Sequence, residues 1–221
     1  MSEGIGASVT RKEDKKFLTG KGRYTDDINR PGQTHAYFVR SDVAHANIKS
    51  IDTKAASSAD GVVAVYTGED VVADGIGGPI CGWVVPCRDG SPTKEPPHPI
   101  LANGKVRYVG DHVAVVIAET LAQAKSAAEL VEVEYDELPA VVDLERASSA
   151  TEIHKEVPDN CYFDWELGDE ASTDKALKSA SRIVKLTVRN NRLVPNAMEP
   201  RAALAEYDDI SESYTLHTTS Q

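Results

Sequence analysis

The stretch from His112 to Tyr135 constrains the fold of this chain more than any other. His112-Val113-Ala114-Val115-Val116-Ile117-Ala118 is an unbroken apolar run of strand length, the pattern of a buried strand. Thr120 can then cap a helix, because its hydroxyl satisfies one of the amides that a helix start leaves unpaired. In that helix Leu121, Ala124, Ala128 and Val131 fall at helical spacing on one face. Val131-Glu132-Val133-Glu134-Tyr135 alternates as the next strand, and Pro139 ends it. The many alanines on the helix predict a close approach to a sheet, and if the two strands are parallel their crossover is right-handed.

Around this unit the pattern is α+β. His35–Arg40 and Ile48–Asp52 alternate as strands, and Val62–Tyr66 is apolar enough to be buried on both faces. Lys54–Ala59 reads as a short helix closed by Gly61. From Gly75 to Pro99 glycines, prolines and polar residues replace any period, which predicts either a functional loop or a surface that orders against a partner covering Trp83. Ser148–Asp159 is a polar connection between two units. After it come an aromatic strand at Cys161–Asp169, a helix capped near Ser172 with Ala176, Leu177 and Ala180 on one face, and an alternating strand at Ile183–Val188. Arg201–Glu206, the turn signal Asp208-Asp209 and Tyr214–Thr218 predict a final strand pair. The last strand has no closing turn or cap, and such an unpaired edge predicts that the functional unit extends past Gln221.

Several function classes are excluded at this level. A net charge of −11 and a pI near 5.0 leave no basic face for nucleic-acid phosphates. Cys81, Cys87 and Cys161 are an odd set whose spacing fits neither a zinc ribbon nor an iron–sulfur loop, so they read as reduced thiols. The first ten residues lack the apolar core of a signal peptide and no run reaches membrane-spanning length, which places the chain in the cytoplasm. Gly20 and Gly22 lie far from any helix start, and Pro79 follows Gly75-Ile76-Gly77-Gly78 at once, so neither set reads as a phosphate loop. Phe17 and Leu18 read as the docking residues of a leader segment. Asp111-His112 invites an acid–base role, but the sequence sets no nucleophile beside it, and a strand-end hydrogen-bonding role is favoured.

Longer motifs are more specific. Arg11-x-Glu13-Asp14 with Phe17-Leu18-Thr19-Gly20-x-Gly22-x-Tyr24-x-x-Asp27 resembles the start of the molybdenum-binding large subunit of the xanthine dehydrogenase and aldehyde oxidase family. Ala44-His45-Ala46-x-Ile48-x-Ser50-Ile51-Asp52, Gly61-Val62-Val63-Ala64-Val65-x-Thr67-Gly68 and Val106-Arg107-Tyr108-Val109-Gly110-Asp111-x-Val113-Ala114 extend the resemblance. Asn191-Arg192-Leu193-x-Pro195-Asn196-x-Met198-Glu199-Pro200-Arg201 and Thr219-Ser220-Gln221 carry it to the last residue. Within the family, Ile80-Cys81-Gly82-Trp83-Val84-Val85, Glu95-Pro96-Pro97-His98-Pro99 and Asp164-Trp165-Glu166-Leu167-Gly168-Asp169 are similar to the aerobic carbon monoxide dehydrogenase branch.

The resemblance implies a leader at 1–19, an α/β hammerhead domain at 20–131, a connection at 132–157 and, at 158–221, the incomplete start of the first molybdenum-cofactor domain. It implies an oxidoreductase that hydroxylates or oxidises a small substrate with water as the oxygen source. The implied cofactor is molybdenum-pterin in the cytosine dinucleotide form. The implied partners are the remainder of the large subunit, a medium subunit with FAD and a small subunit with two [2Fe–2S] clusters, in a dimer of heterotrimers. Gln221 falls on the family's glutamine whose amide hydrogen-bonds an oxygen ligand of molybdenum. Glu199 and Arg201 fall on motif positions that either line the pocket or form an internal ion pair, and the pair is favoured. Asn196 stands where many relatives have histidine. No catalytic residue and no direct metal ligand is expected here, and no cofactor is expected to bind this chain alone. A non-catalytic hammerhead scaffold is the alternative from a different class, and an aldehyde or heterocycle hydroxylase is the alternative within the family.

Overall fold

A computed structural model describes residues 4–220. In chain order the elements are α1 (Asp14–Leu18), β1 (His35–Arg40), β2 (Ala46–Asp52), α2 (Lys54–Ser57), β3 (Val62–Thr67), α3 (Gly68–Ala73), β4 (Lys105–Val106), β5 (His112–Ala118), α4 (Leu121–Ala128), β6 (Glu132–Glu137), α5 (Glu170–Ser179), β7 (Ala203–Asp208) and β8 (Ser213–Thr218). The chain divides into two compact units, one of Thr34–Ile183 and one that joins Met1–Gln33 to Val184–Gln221.

In the unit of Thr34–Ile183, β5 is the middle strand of a β1-β5-β3 sheet, antiparallel to both neighbours. Val113, Ala114, Val116 and Ala118 are fully buried, as their unbroken apolar run requires. The Thr120 hydroxyl accepts the Gln123 amide at 3.2 Å and starts α4. Ala124, Ala127 and Ala128 of that helix are buried, and Val116 packs with Ala127, Ala128, Val39, Val62 and Val65. Leu121, expected on the buried face, is 43% exposed, and Ala127 takes its place in the core. Gly61 follows α2 at φ +74, and a Cβ there would fall 2.0 Å from the Gln123 side chain.

Two expectations are corrected here. β3 is an edge strand rather than one buried on both faces, with Val63 61% exposed. No parallel crossover links β5 to β6, because β6 pairs antiparallel with β2 in a second sheet of order β4-β2-β6. The Glu/Val/Glu/Tyr alternation of β6 explains the choice: one face carries Val133 and Tyr135 into the cluster of Ala46, Ala102, Val106 and Val113, and the other leaves carboxylates in water. Residues 132–137, placed by sequence at the start of the connection, thus pair along their length with β2.

Cys161–Asp169 is not a regular strand. It is held as an extended segment by single contacts: the Lys94 amide to the Tyr162 carbonyl at 3.1 Å and the Arg88 amide to the Asp164 carbonyl at 2.7 Å. The Arg88 guanidinium adds Asp164 at 3.2 Å and Glu166 at 2.9 Å, and Trp83 meets Trp165 edge-on at 6.5 Å. So the exposed Trp83 of the glycine- and proline-rich loop has an aromatic neighbour within its own unit. Asp169 caps α5 by accepting the Ser172 amide at 2.8 Å, and no residue of α5 is buried.

In the other unit the Phe17 ring stacks on Tyr24 at 5.6 Å, while Leu18 is 86% exposed. A Cβ at Gly22 would fall 2.5 Å from the Phe17 ring, which accounts for the glycine. β7 and β8 pair as an antiparallel hairpin from Ala203↔Thr218 to Asp208↔Ser213. The Asp208 carboxylate accepts the Ile210 and Ser211 amides at 2.9 and 3.1 Å and shapes the turn. The strand expected at Ile183–Val188 does not form: Val184, Leu186 and Val188 alternate as predicted, but among the described residues no ladder partner faces them and each is more than 70% exposed.

The core assignment predicts that Val116→Ala destabilises the chain by about 2 kcal/mol, through lost burial and a cavity that the sheet cannot close. Val63→Ala on the exposed edge should stay within about 0.5 kcal/mol of the parent. Equilibrium denaturation of both variants checks the contrast.

Candidate functional site

The residues expected to serve the site lie at the C-terminal end of the chain. Gln221 is outside the described residues. Glu199 is half-buried, and its Oε1 accepts the Thr25 amide at 3.2 Å. That amide opens the short 3-10 turn Thr25–Asp27, whose first N–H groups have no partner within the turn. Arg201 is exposed, and among the described residues no ion pair joins it to Glu199.

Beside Glu199 lies a network that sequence reasoning missed. Arg30 Nε donates to Glu206 Oε2 at 2.8 Å, and His217 Nε2 lies 3.1 Å from Glu206 Oε1. The Glu206 carboxyl is held below its ordinary range, first by the Arg30 hydrogen bond and then by His217. Arg23, Thr25, Ile28, Arg30, Glu199 and His217 line a concavity of about 420 Å³. The alternation of β7 and β8 would have put Glu206 and His217 on one face. Nothing local in the sequence points from them to Arg30.

Asp111 and His112 have the strand-end role. Asp111 Oδ2 accepts the Arg107 amide at 3.0 Å, its carbonyl accepts the Ser41 amide at 2.8 Å, and the His112 carbonyl accepts the Ala102 amide at 2.6 Å. The His112 ring stacks on Phe38 at 4.7 Å, at one end of a groove of about 670 Å³ whose apolar wall includes Tyr66, Val71, Ile100 and Val115. Gly78 is required by packing: a Cβ there would fall 1.9 Å from the His98 carbonyl oxygen.

Among the described residues no group of three His, Cys, Asp or Glu side chains is placed to hold a metal ion. The chemistry of Gln221 suits a different task, because a carboxamide offers N–H donors to an oxygen atom. Among the described residues no helix is long and apolar enough to cross a membrane.

Burial pushes the His112 imidazole down, with Arg40 adding to the effect and Asp111 opposing it. A histidine kept neutral in the fold contributes stability above the ordinary imidazole value of about 6.5, and that contribution is lost as the pH falls through the lower folded value. His154 is lowered in the same way, so His112→Gln should remove only part of the acid-side loss of stability. Denaturation midpoints of parent and variant between about pH 7 and pH 5 measure it. Parallel pH slopes would show that His112 contributes nothing.

Residues 19–139 match the a/b hammerhead domain of aldehyde oxidase and xanthine dehydrogenase, and residues 153–221 match a molybdopterin cofactor-binding domain. The chain is 36% identical over 220 residues to the nicotine 6-hydroxylase large subunit of Paenarthrobacter nicotinovorans, covering 98% of this chain and 26% of that protein. It is 34% identical over 233 residues to the carbon monoxide dehydrogenase large chain of Afipia carboxidovorans, covering 99% and 27%. Among solved structures it superposes on the Cu,Mo-CO dehydrogenase in its carbon monoxide reduced state with a TM-score of 0.79 at 33% identity, covering 98% of this chain and 28% of that one. Quinoline 2-oxidoreductase from Pseudomonas putida 86 gives a TM-score of 0.76 at 34% identity, covering 98% and 27%. The chain therefore spans about a quarter of the length of the relatives it matches. With the hammerhead match over most of the two-sheet unit and the cofactor-domain match after it, the chain belongs to the aldehyde oxidase and xanthine dehydrogenase family.

Proposed function

We propose that this chain is the N-terminal part of the catalytic subunit of a molybdenum hydroxylase and acts only with further polypeptide that supplies most of the site. The observation that carries the reading is the order of its parts. A hammerhead is followed directly by a cofactor-domain segment, and relatives match over nearly all of this chain but about a quarter of their own length. The division into 1–19, 20–131, 132–157 and 158–221 belongs to the same proposal, with 132–137 joining the hammerhead through pairing with β2.

When bound, the molybdenum-pterin cofactor supplies the oxidation of a small substrate with water as the oxygen source. The role of this chain is to position. The Gln221 side-chain amide would help to hold the cofactor by donating a hydrogen bond to it, a contact of about 1.5–3 kcal/mol once its geometry is fixed. Glu199 is assigned a structural role, because its carboxylate is taken up by Thr25. Arg201 falls on the same motif and is exposed in this chain. The cytosine dinucleotide form of the cofactor, a medium subunit with FAD, a small subunit with [2Fe–2S] clusters, assembly as a dimer of heterotrimers and a cytoplasmic location complete the proposal.

The substrate is carbon monoxide in the first reading, supported by the similarity to carbon monoxide dehydrogenase in both sequence and structure. A nitrogen heterocycle is the second, supported by the comparable identity to nicotine 6-hydroxylase and quinoline 2-oxidoreductase. Metal analysis and dye-linked oxidase assays of the chain, alone and co-expressed with the downstream polypeptide, test the proposal. Molybdenum and dye reduction should appear only with the downstream part, and Gln221→Ala should then lower turnover by about 10–100-fold. Stoichiometric molybdenum on the chain alone would contradict it.

A further inference from the structure

We propose that residues 23–30 form a strap that positions the β7–β8 hairpin, with Arg30 as its principal positioning residue. Two-stranded hairpins are at best marginally stable by themselves in water. This one has little core of its own: Tyr207, Tyr214 and Leu216 are 56%, 80% and 62% exposed. Its partly covered side chains, Leu204, Glu206 and His217, fall on a single face, and the flanking Ala202 and Thr219 are partly covered as well. On that face Glu206 is shared: one carboxylate oxygen takes Arg30 at 2.8 Å and the other meets His217 at 3.1 Å, so one side chain of β7 ties the strap to β8.

The strap is itself preset. The Arg30 amide donates to the Gln33 side chain at 3.0 Å, and Arg30 Nη1 donates to the Asn29 carbonyl at 3.3 Å, which limits where the guanidinium can point. The Thr25 amide reaches Glu199 at 3.2 Å, upstream of β7. At the open end, Thr219 closes the pair by donating its amide to the Ala202 carbonyl at 3.2 Å and accepting the Ala202 amide on its hydroxyl at 3.0 Å. Only Ser220 then separates this clasp from Gln221. Resting on the function proposed above, the strap is a device by which the start of the chain orders the strand that leads into Gln221.

Amide hydrogen exchange of the whole 221-residue chain tests this without metal or partner, so a failed molybdenum assignment leaves the test intact. Arg30→Ala should raise exchange across β8 by about three- to tenfold and leave β5 unchanged. Glu206→Gln, which keeps shape and drops the charge, should move β8 in the same direction. Arg30→Lys should fall between parent and Arg30→Ala, because it keeps the charge and loses the planar fork. Added salt should bring parent β8 exchange towards that of Arg30→Ala, since the pair is partly exposed and screened. Unchanged β8 exchange in Arg30→Ala and Glu206→Gln, or an equal rise at β5 and β8, would overturn the proposal.

Discussion

A strand that is apolar on both faces has to be covered on both, and β5 imposes that requirement on everything packed around it in Thr34–Ile183. Val116 is covered by the alanine face of α4, and Val113 by the cluster that β2, β4 and β6 bring from the second sheet. Each valine so buried contributes about 1.5–3 kcal/mol, enough to fix the register of its neighbours. The alanines of α4 follow from the same constraint, because small side chains let a helix approach a sheet closely. Asp111 and His112 anchor the entrance of the strand by hydrogen bonds to loops on either side.

The other unit follows a different logic. It joins the first and last segments of the chain, Met1–Gln33 and Val184–Gln221, with residues 34–183 between them in sequence. Among the described residues it holds together through polar contacts such as Arg30 with Glu206 and Thr25 with Glu199, and no buried apolar cluster forms in it. The alternating residues 184–188 within it, and α5 just before them in sequence, have the pattern of a strand and a helix that bury one face, yet both stay exposed. Side chains such as Leu186 and Val188 gain nothing by remaining in water, so alternation alone does not make this segment a strand.

Local order was legible in the sequence, and long-range pairing was legible only in part. The apolar run of β5, the Thr120 cap, the alternation of β6 and the final hairpin could all be read, because each depends on residues within one turn or one strand. The partner of β6 could not, since alternation specifies a face and not a neighbour; the same limit made β3 look central when it is an edge. At the candidate site the motif ending at Gln221 was visible as a family pattern. The Thr25–Glu199 and Arg30–Glu206 contacts span more than 170 residues and leave no periodic trace, so only the fold could bring them together.

The two logics assign very different local stabilities to one chain, and a residue-by-residue map of amide exchange in the unmodified protein measures that directly. β5 amides should exchange only on global unfolding, while amides across 183–188 should exchange close to the rate of an unstructured peptide. Protection at 183–188 comparable to that of β5 would contradict the account, because it would mean that this segment finds a ladder within the chain itself.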